Sequence, residues 1–236
     1  MGISSKIGAA ALFVATMAAA SPAQATDTFA QFAQFLPNAK IFTYTNASSG
    51  GIVAKLGTTG STNTVLISDL GSLASPSIAK VNLVGSATVL PTAGANITQL
   101  FSGSLTFTLL APQVGMSGPS TNALTVTFLN ALLIAAPGGA SPTLQADAAS
   151  GSVITYWSDF ADLSDTDSEN FSLSFSGSST ALTLGGGRLP DFRVSGSGTF
   201  AAALVPEPAS WGLMLVGFGV IGGALRSRRK TVLSFS

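Results

Sequence analysis

Residues 105–109 read Leu-Thr-Phe-Thr-Leu, and residues 124–128 read Leu-Thr-Val-Thr-Phe. In both stretches an apolar side chain alternates with a threonine. Successive side chains of a β-strand point to opposite faces, so this alternation gives each stretch one apolar face and one hydroxyl face. Both stretches are therefore predicted to be half-buried strands. Pairing of the two in one sheet explains their likeness more simply than a sequence repeat does.

The same period of two recurs along the chain, and turn-forming residues separate the runs. Further alternating runs lie at 171–175, 182–184 and 192–194, and glycine or proline clusters lie at 49–51, 91–94, 115–119, 137–139 and 185–187. Many short strands punctuated in this way are typical of an all-β fold, here an antiparallel β-sandwich or jelly roll in a single domain. A parallel β-helix is the structural alternative, although its rungs should repeat at a fixed spacing and these runs do not.

Two segments depart from simple alternation. Phe29 to Leu36 carries apolar residues at 29, 32, 35 and 36, a helical spacing that makes it the main helix candidate, with an irregular leader packed on the sheet as the alternative. Leu129 to Ala136 is the most apolar stretch outside the chain ends, and it is interpreted as a fully buried strand.

Residues 1–25 have the organisation of a secretory signal peptide. Lys6 supplies the positive charge, Ile7 to Ala20 forms the apolar region, and Ala23-Gln24-Ala25 fits the A-x-A cleavage pattern. A spanning N-terminal helix is the alternative, but the apolar run is short and no basic stop follows it. Cleavage after Ala25 would leave an exported β-rich domain beginning at Thr26.

The C-terminal region has three physically distinct parts in a fixed order. Pro206 and Pro208 cannot continue a helix or a strand ladder, so they mark an extended break. Residues 211–225 carry no charge and are predicted to form a transmembrane helix of about 22 Å, shorter than the hydrocarbon core of about 30 Å. A basic stop at 226–230 then holds that end in the cytoplasm, through Arg226, Arg228, Arg229 and Lys230.

This arrangement resembles the PEP-CTERM sorting signal of Gram-negative bacteria, in its tryptophan-containing PEPxxW variant. The matching residues are Pro206, Glu207, Pro208 and Trp211, followed by the apolar glycine-rich run and the basic cluster. The resemblance covers about 25 residues at 206–230, and a short cytoplasmic tail follows at 231–236. It implies that an exosortase, a membrane transpeptidase-like protease, processes the chain. An ordinary C-terminal anchor is the alternative.

Together these segments predict a route through the cell. An exported domain at 26–205 is held briefly in the inner membrane by its C-terminal helix, and is then released to the cell surface or extracellular matrix after processing. The resemblance also implies an association with exopolysaccharide or biofilm, because proteins with this signal tend to occur in bacteria that produce them. A matrix polysaccharide is accordingly a second expected partner, after the exosortase.

Composition excludes several classes of function. The domain at 26–205 holds 5 basic and 9 acidic residues, a net charge of −4, which argues against nucleic acid as a partner. The chain has no cysteine and no histidine, which removes thiolate chemistry, disulfides, the common zinc sites and the usual base of a serine nucleophile. We therefore expect a protein that is not an enzyme and needs no cofactor.

One local feature qualifies that expectation. Five of the nine acidic residues of the domain lie within 159–169, and Asp165, Asp167 and Glu169 alternate as Ca²⁺ ligands can. The EF-hand pattern is absent, because Asn170 and Ser176 occupy the positions of its glycine and its bidentate glutamate. A solvated loop between strands, a looser Ca²⁺ site and a carboxylate pair for glycoside hydrolysis all remain open.

The aromatic residues leave a similar choice. Tyr156-Trp157 just precedes the acidic segment, and Phe42 and Tyr44 flank Thr43. Core packing is the commoner fate of such rings, and a sugar-binding surface is the alternative. The leading hypothesis is thus a non-enzymatic surface or matrix protein. A Ca²⁺-dependent adhesin and a carboxylate-dependent carbohydrate-active exoenzyme are the alternatives.

Overall fold

In the computed structural model of the chain, residues 26–36, 38–60, 63–164, 166–204, 214–219 and 221–222 are described. Twelve strands account for most of them, together with one 3-10 turn at Ala148–Ser150 and a short C-terminal helix over 214–219. The strands are β1 Asp27–Gln34, β2 Phe42–Ser49, β3 Ile52–Thr58, β4 Thr64–Ser68, β5 Ser77–Ala87, β6 Thr92–Ala93, β7 Ile97–Gly115, β8 Gly118–Ala135, β9 Thr143–Asp147, β10 Val153–Trp157, β11 Thr166–Ser176 and β12 Phe192–Leu204.

The two alternating pentads, residues 105–109 and 124–128, are neighbours in the sheet. They lie in β7 and β8, which form a long antiparallel hairpin around the turn at 115–118, and Leu105 pairs with Val126 while Phe107 pairs with Leu124. Their apolar side chains are buried, as the alternation requires. The prediction of paired, half-buried strands and the all-β class are confirmed.

The strands form one antiparallel sheet that closes on itself. Strand β12 pairs with β11 along one edge and with β2 and then β1 along the other. Strand β5 pairs with β7 along one edge and with β4 and then β3 along the other. On one side, β12 is linked to β5 through the paired strands β1 and β4 and through the paired strands β2 and β3. On the other side, β12 is linked to β5 through β11, β9, β8 and β7, in that order. The two packed layers expected of a sandwich are here two walls of one continuous sheet.

Phenyl rings from the two walls meet between them. The ring of Phe32 in β1 lies 5.0 Å from that of Phe107 in β7, measured between ring centres. Phe200 in β12 lies 5.7 Å from Phe107 and 6.1 Å from Phe32. These three side chains are at most 3% exposed. Burial of such aromatic surface supplies the main driving force for closing the sheet.

The helix predicted for Phe29 to Leu36 is wrong. Most of this segment is strand β1, which pairs with β12 and β4. Ala30 and Phe32 point into the core, whereas Phe35 and Leu36 are about half exposed just beyond the strand. A strand forms because β12 and β4 satisfy the hydrogen-bonding groups of its backbone. A helix this short is barely stable by itself, even when its apolar residues have helical spacing.

Two strand interpretations also need correction. Leu129 to Ala136 lies mostly in β8, but it is half-buried: Ala131, Leu133 and Ala135 face the core while Leu129 is 53% exposed. The run 182–184 is not a strand, although Leu182 is buried and its N–H donates to the carbonyl of Gly139. In both segments, which side chains are buried is decided by contacts with distant parts of the chain.

The predicted membrane segments fall largely outside the described residues. The signal peptide at 1–25, with Ala23 and Ala25, lies outside them, as do the basic stop and the tail at 231–236. Within 211–225 the structure is helical at 214–219 and 221–222, and the apolar side chains there are exposed. No helix of the described residues is both long and apolar enough to cross a membrane. The spanning helix therefore stays a prediction.

Candidate functional site

The acidic segment divides between a loop and a strand. Asp159 and Asp162 lie in the loop between β10 and β11, whereas Asp167 and Glu169 lie within β11. Asp165 is outside the described residues, and the side chain of Asp167 is not described. A loop that carries all five acidic residues, as the sequence suggested, is therefore not what forms.

A β-bulge separates the strand residues of this segment. The pairing of β11 with β12 shifts register between Asp167 and Asn170, and Ser168 adopts a left-handed backbone with φ of 54°. Glu169 accepts a hydrogen bond of 3.3 Å from the hydroxyl of Thr166. Bulges of this kind change the direction in which neighbouring side chains point.

The proposed Ca²⁺ ligands cannot be assembled from the described part of the chain. There, no three carboxylates lie close enough together to hold a metal ion. Of the set Asp165, Asp167 and Glu169, only the side chain of Glu169 is described. The Ca²⁺ site accordingly stays a prediction.

The loop carboxylates have defined partners. Asp159 accepts a hydrogen bond from the hydroxyl of Ser120 on β8. Asp162 accepts two from Ser164, one from its backbone N–H at 3.1 Å and one from its hydroxyl at 2.7 Å. These two bonds hold the pKa of the Asp162 carboxyl below its usual range, so it is ionised at neutral pH.

These carboxylates lie in a surface groove. The groove has a volume of about 610 Å³ and runs between the tip of the β7–β8 hairpin and the loop that follows β10. It is lined by Met116, Ser117, Gly118, Pro119, Ser120, Tyr156, Trp157, Ser158, Asp159, Ala161, Asp162, Leu163 and Ser164. We call it the Trp157 groove.

The four aromatic residues singled out in the sequence have two different fates. Phe42, Tyr44 and Tyr156 are buried, as core packing predicts, whereas Trp157 is 64% exposed. The hydroxyl of Tyr44 donates to Gln99 at 3.0 Å, and the amide of Gln99 donates to the carbonyl of Val89 at 2.9 Å. Only Trp157 fits the alternative of an exposed ring beside polar groups.

Tyr156 connects the floor of the groove to the core. Its hydroxyl donates to the carbonyl of Asn170, and its ring packs edge-on against Phe29 with ring centres 4.9 Å apart. Burial raises the pKa of Tyr156 well above its usual value, and the charge of Glu169 raises it further. Burial also raises the pKa of Tyr44, to about 12.

We expect the fold to lose stability steeply in alkali. Both tyrosines of the chain have raised pKa values in the folded state. The stability that these protonated phenols contribute is therefore fully present below pH ~10 and is lost as pH rises through the folded pKa values. Between pH ~10.5 and ~12 the free energy of unfolding should fall by up to about 3 kcal/mol per pH unit, because unfolding releases two protons. Urea unfolding of the full chain across this range measures the slope.

Tyr156→Phe is the matched control for this experiment. It removes one titrating phenol, so the slope should fall to about half, whatever the variant does to stability at neutral pH. Phenolate absorbance at 295 nm should rise together with unfolding in the native chain. If half of the phenolate signal develops near pH 10 while the fold stays intact, as for ordinary tyrosines, the prediction is contradicted.

Sequence reasoning missed the hairpin side of the groove. Met116 donates its backbone N–H to the carbonyl of Asp159 at 2.8 Å, and Asp159 donates its own to the carbonyl of Asn122 at 3.3 Å. The glycine-rich turn at 115–119 gave a local signal for the hairpin, but none for its contact with a loop some forty residues later.

The sorting residues lie outside the described residues, and comparison with known proteins bears on them. A family model of the PEP-CTERM protein-sorting motif matches residues 204–230, which include Pro206, Glu207, Pro208, Trp211 and the four basic residues. No curated protein matches the chain. No solved structure matches it either.

Proposed function

We propose that this chain, which carries a PEP-CTERM protein-sorting motif, is a non-enzymatic surface or matrix protein that an exosortase releases from a transient inner-membrane anchor. The motif is an exosortase-type sorting signal on an exported protein, and it implies processing by that enzyme. The observation that carries the proposal is the position of the match, which begins at the last residue of β12. The sorting signal thus follows the folded domain directly.

The pairing at the end of β12 supports this topology. Asp27, the first residue of β1, lies opposite Ala202, and Asp167 of β11 lies opposite Ala203 on the other edge. The segment before Thr26 and the motif after β12 therefore leave from the same end of the fold. A domain built in this way can face one membrane with both of its predicted membrane segments.

The length of the connecting chain limits the distance between the fold and the helical segment. Residues 205–213 connect β12 to the helix at 214–219, and a chain of that length spans at most about 36 Å. The helical segment carries exposed Leu215, Val216 and Phe218, which suit an apolar environment. An anchored domain would stand close to the membrane surface until its tail is cut.

Chemical inventory supports a role without catalysis. No cysteine or histidine is available, and Asp162, a carboxylate of the Trp157 groove, is held ionised and exposed. A general acid for glycoside hydrolysis needs a raised pKa in an apolar site, which is the opposite environment. Matrix association, in which the domain binds polysaccharide or packs with other surface components, is the function that we propose for the exported form.

Tail removal is the test of the sorting proposal. The full chain, expressed in an exosortase-producing host and in the same host lacking the enzyme, should differ in intact mass by the C-terminal segment. Combined replacement of Pro206, Glu207 and Pro208 by alanine should retain the tail in both hosts, whereas the control Thr231→Ala, outside the motif, should be processed normally. Retention of the tail by the native chain in the exosortase-producing host, or its loss from the native chain without the enzyme, would overturn the proposal.

A further inference from the structure

Trp157 presents an accessible aromatic ring at the end of a paired strand. It ends strand β10, where its neighbour Tyr156 points into the core and fixes the strand, while the indole itself is 64% exposed. A single exposed apolar side chain is ordinary on a protein surface. This one, however, forms the wall of the Trp157 groove, where ionised and hydroxylated side chains lie beside it.

A row of polar side chains extends across neighbouring strands from Trp157. Trp157 pairs with Thr125 of β8, Thr125 with Thr106 of β7, and Thr106 with Asn82 of β5. Directly paired residues of an antiparallel sheet share a face, so all four lie on the outer surface. At about 4.8 Å between strands the row extends roughly 14 Å. It offers hydroxyl and amide groups along its whole length.

The charge of the groove selects among ligands. Its lining includes two carboxylates, Asp159 and Asp162, and no lysine or arginine. Each carboxylate uses one oxygen for a serine partner, and its second oxygen can accept further hydrogen bonds. Such a site accepts from hydroxyl donors and repels anionic polymers and anionic lipid headgroups.

The walls of the groove are held in place before any ligand arrives. Backbone hydrogen bonds tie Met116 to Asp159 and Asp159 to Asn122, and the carboxylate of Asp159 bonds Ser120. The hairpin tip also lies tightly against the loop, since a Cβ atom on Gly115 would stand 2.5 Å from the carbonyl oxygen of Asp159. Preorganisation of this kind lowers the entropic cost of binding.

We propose that the Trp157 groove binds a neutral polysaccharide, with one sugar ring stacked on the indole and sugar hydroxyls donating to Asp159 and Asp162. The pyranose ring has apolar C–H faces that match an exposed aromatic surface, and its edge carries the donors that the carboxylates need. The inference deepens the proposed function, because it assigns the matrix association of the exported domain to this groove.

Binding assays on the full chain in detergent test the proposal. The probes are cellulose, an insoluble β-1,3-glucan and dextran as neutral polymers, and alginate as the anionic one. We expect retention on at least one neutral polymer, with alginate bound more weakly. Trp157→Ala should weaken that retention by about tenfold or more, while Trp157→Phe, which keeps a ring, should retain most of it.

Phe35→Ala is the matched control, because Phe35 is an exposed aromatic side chain, 49% accessible, that does not line the groove. It should bind like the native chain, and near-ultraviolet and far-ultraviolet circular dichroism should show that each variant is folded. Three results would each overturn the proposal: no retention on any neutral polymer, equal binding by Trp157→Ala, or stronger binding to alginate than to every neutral polymer.

The sorting assay separates this inference from the proposed function. Trp157→Ala should be cut by the exosortase as the native chain is, because residue 157 lies outside the motif at 204–230. Failure of tail removal in the native chain would overturn the sorting proposal while leaving the glycan measurements on the purified chain to stand by themselves.

Discussion

Phe200→Ala should destabilise the fold by about 3–5 kcal/mol, a large part of the total stability of a typical domain. Phe200 is fully buried on the inner face of β12. Its ring centre lies 5.7 Å from that of Phe107 and 6.1 Å from that of Phe32, so it contacts both walls of the sheet. Truncation removes the transfer energy of the ring and leaves a cavity that rigid strands cannot close. Urea unfolding of the full chain measures the loss.

The control for this substitution is again Phe35→Ala. It deletes the same atoms from a half-exposed site beyond β1, so the expected change in the free energy of unfolding is about 0.5 kcal/mol or less. A loss below about 1.5 kcal/mol for Phe200→Ala would contradict a core built around this ring. It would mean that the two walls do not meet as described.

Gly103→Ala is the second substitution with a large expected effect, a loss of about 3 kcal/mol or more. Gly103 lies in β7 opposite Gly85 of β5. A Cβ atom at this position would stand 2.0 Å from the carbonyl oxygen of Val84 and 2.7 Å from the Cα atom of Gly85. Both are backbone atoms, so relief requires that β5 and β7 separate. Urea unfolding and thermal melting of the full chain measure the effect.

Gly94→Ala is the matched control, because its added Cβ would meet only the carbonyl oxygen of Asn96, at an ordinary 3.6 Å. We expect a change within about 0.5 kcal/mol, since a surface alanine that clashes with nothing alters stability little. Equal stability of Gly103→Ala and Gly94→Ala would show that the close approach of β5 and β7 does not exist.

The strands that sequence predicted best are those whose alternation is strict. In β7 and β8 every core-facing position of the two pentads is apolar, so one face must be buried and the register follows. The helix prediction for 29–36 failed because two spacings are present in the same segment. Its apolar residues satisfy a helical spacing, but Ala30 and Phe32 also satisfy the alternating spacing of a strand. Only the availability of β4 and β12 as partners decided between them.

The acidic segment shows the same limit in the candidate site. Its composition indicated ionised side chains in contact with water, and Asp162 fits that description. Composition could not indicate that a bulge places Glu169 in a strand or that Asp159 bonds Ser120. Equally, nothing local distinguished Trp157 from Tyr156, because the face that each presents depends on the strand that pairs with β10.

Two properties of this protein follow from short contiguous segments: the half-buried strands, and the sorting signal that follows them. A side-chain period of two, an apolar run or a basic stop acts over a few residues, so no distant contact is needed to recognise it. The closure of the sheet, and the groove where Trp157 meets Asp159 and Ser120, belong to the tertiary structure. Residues 39 positions apart build that groove, and only packing of the whole chain decides which distant segments meet.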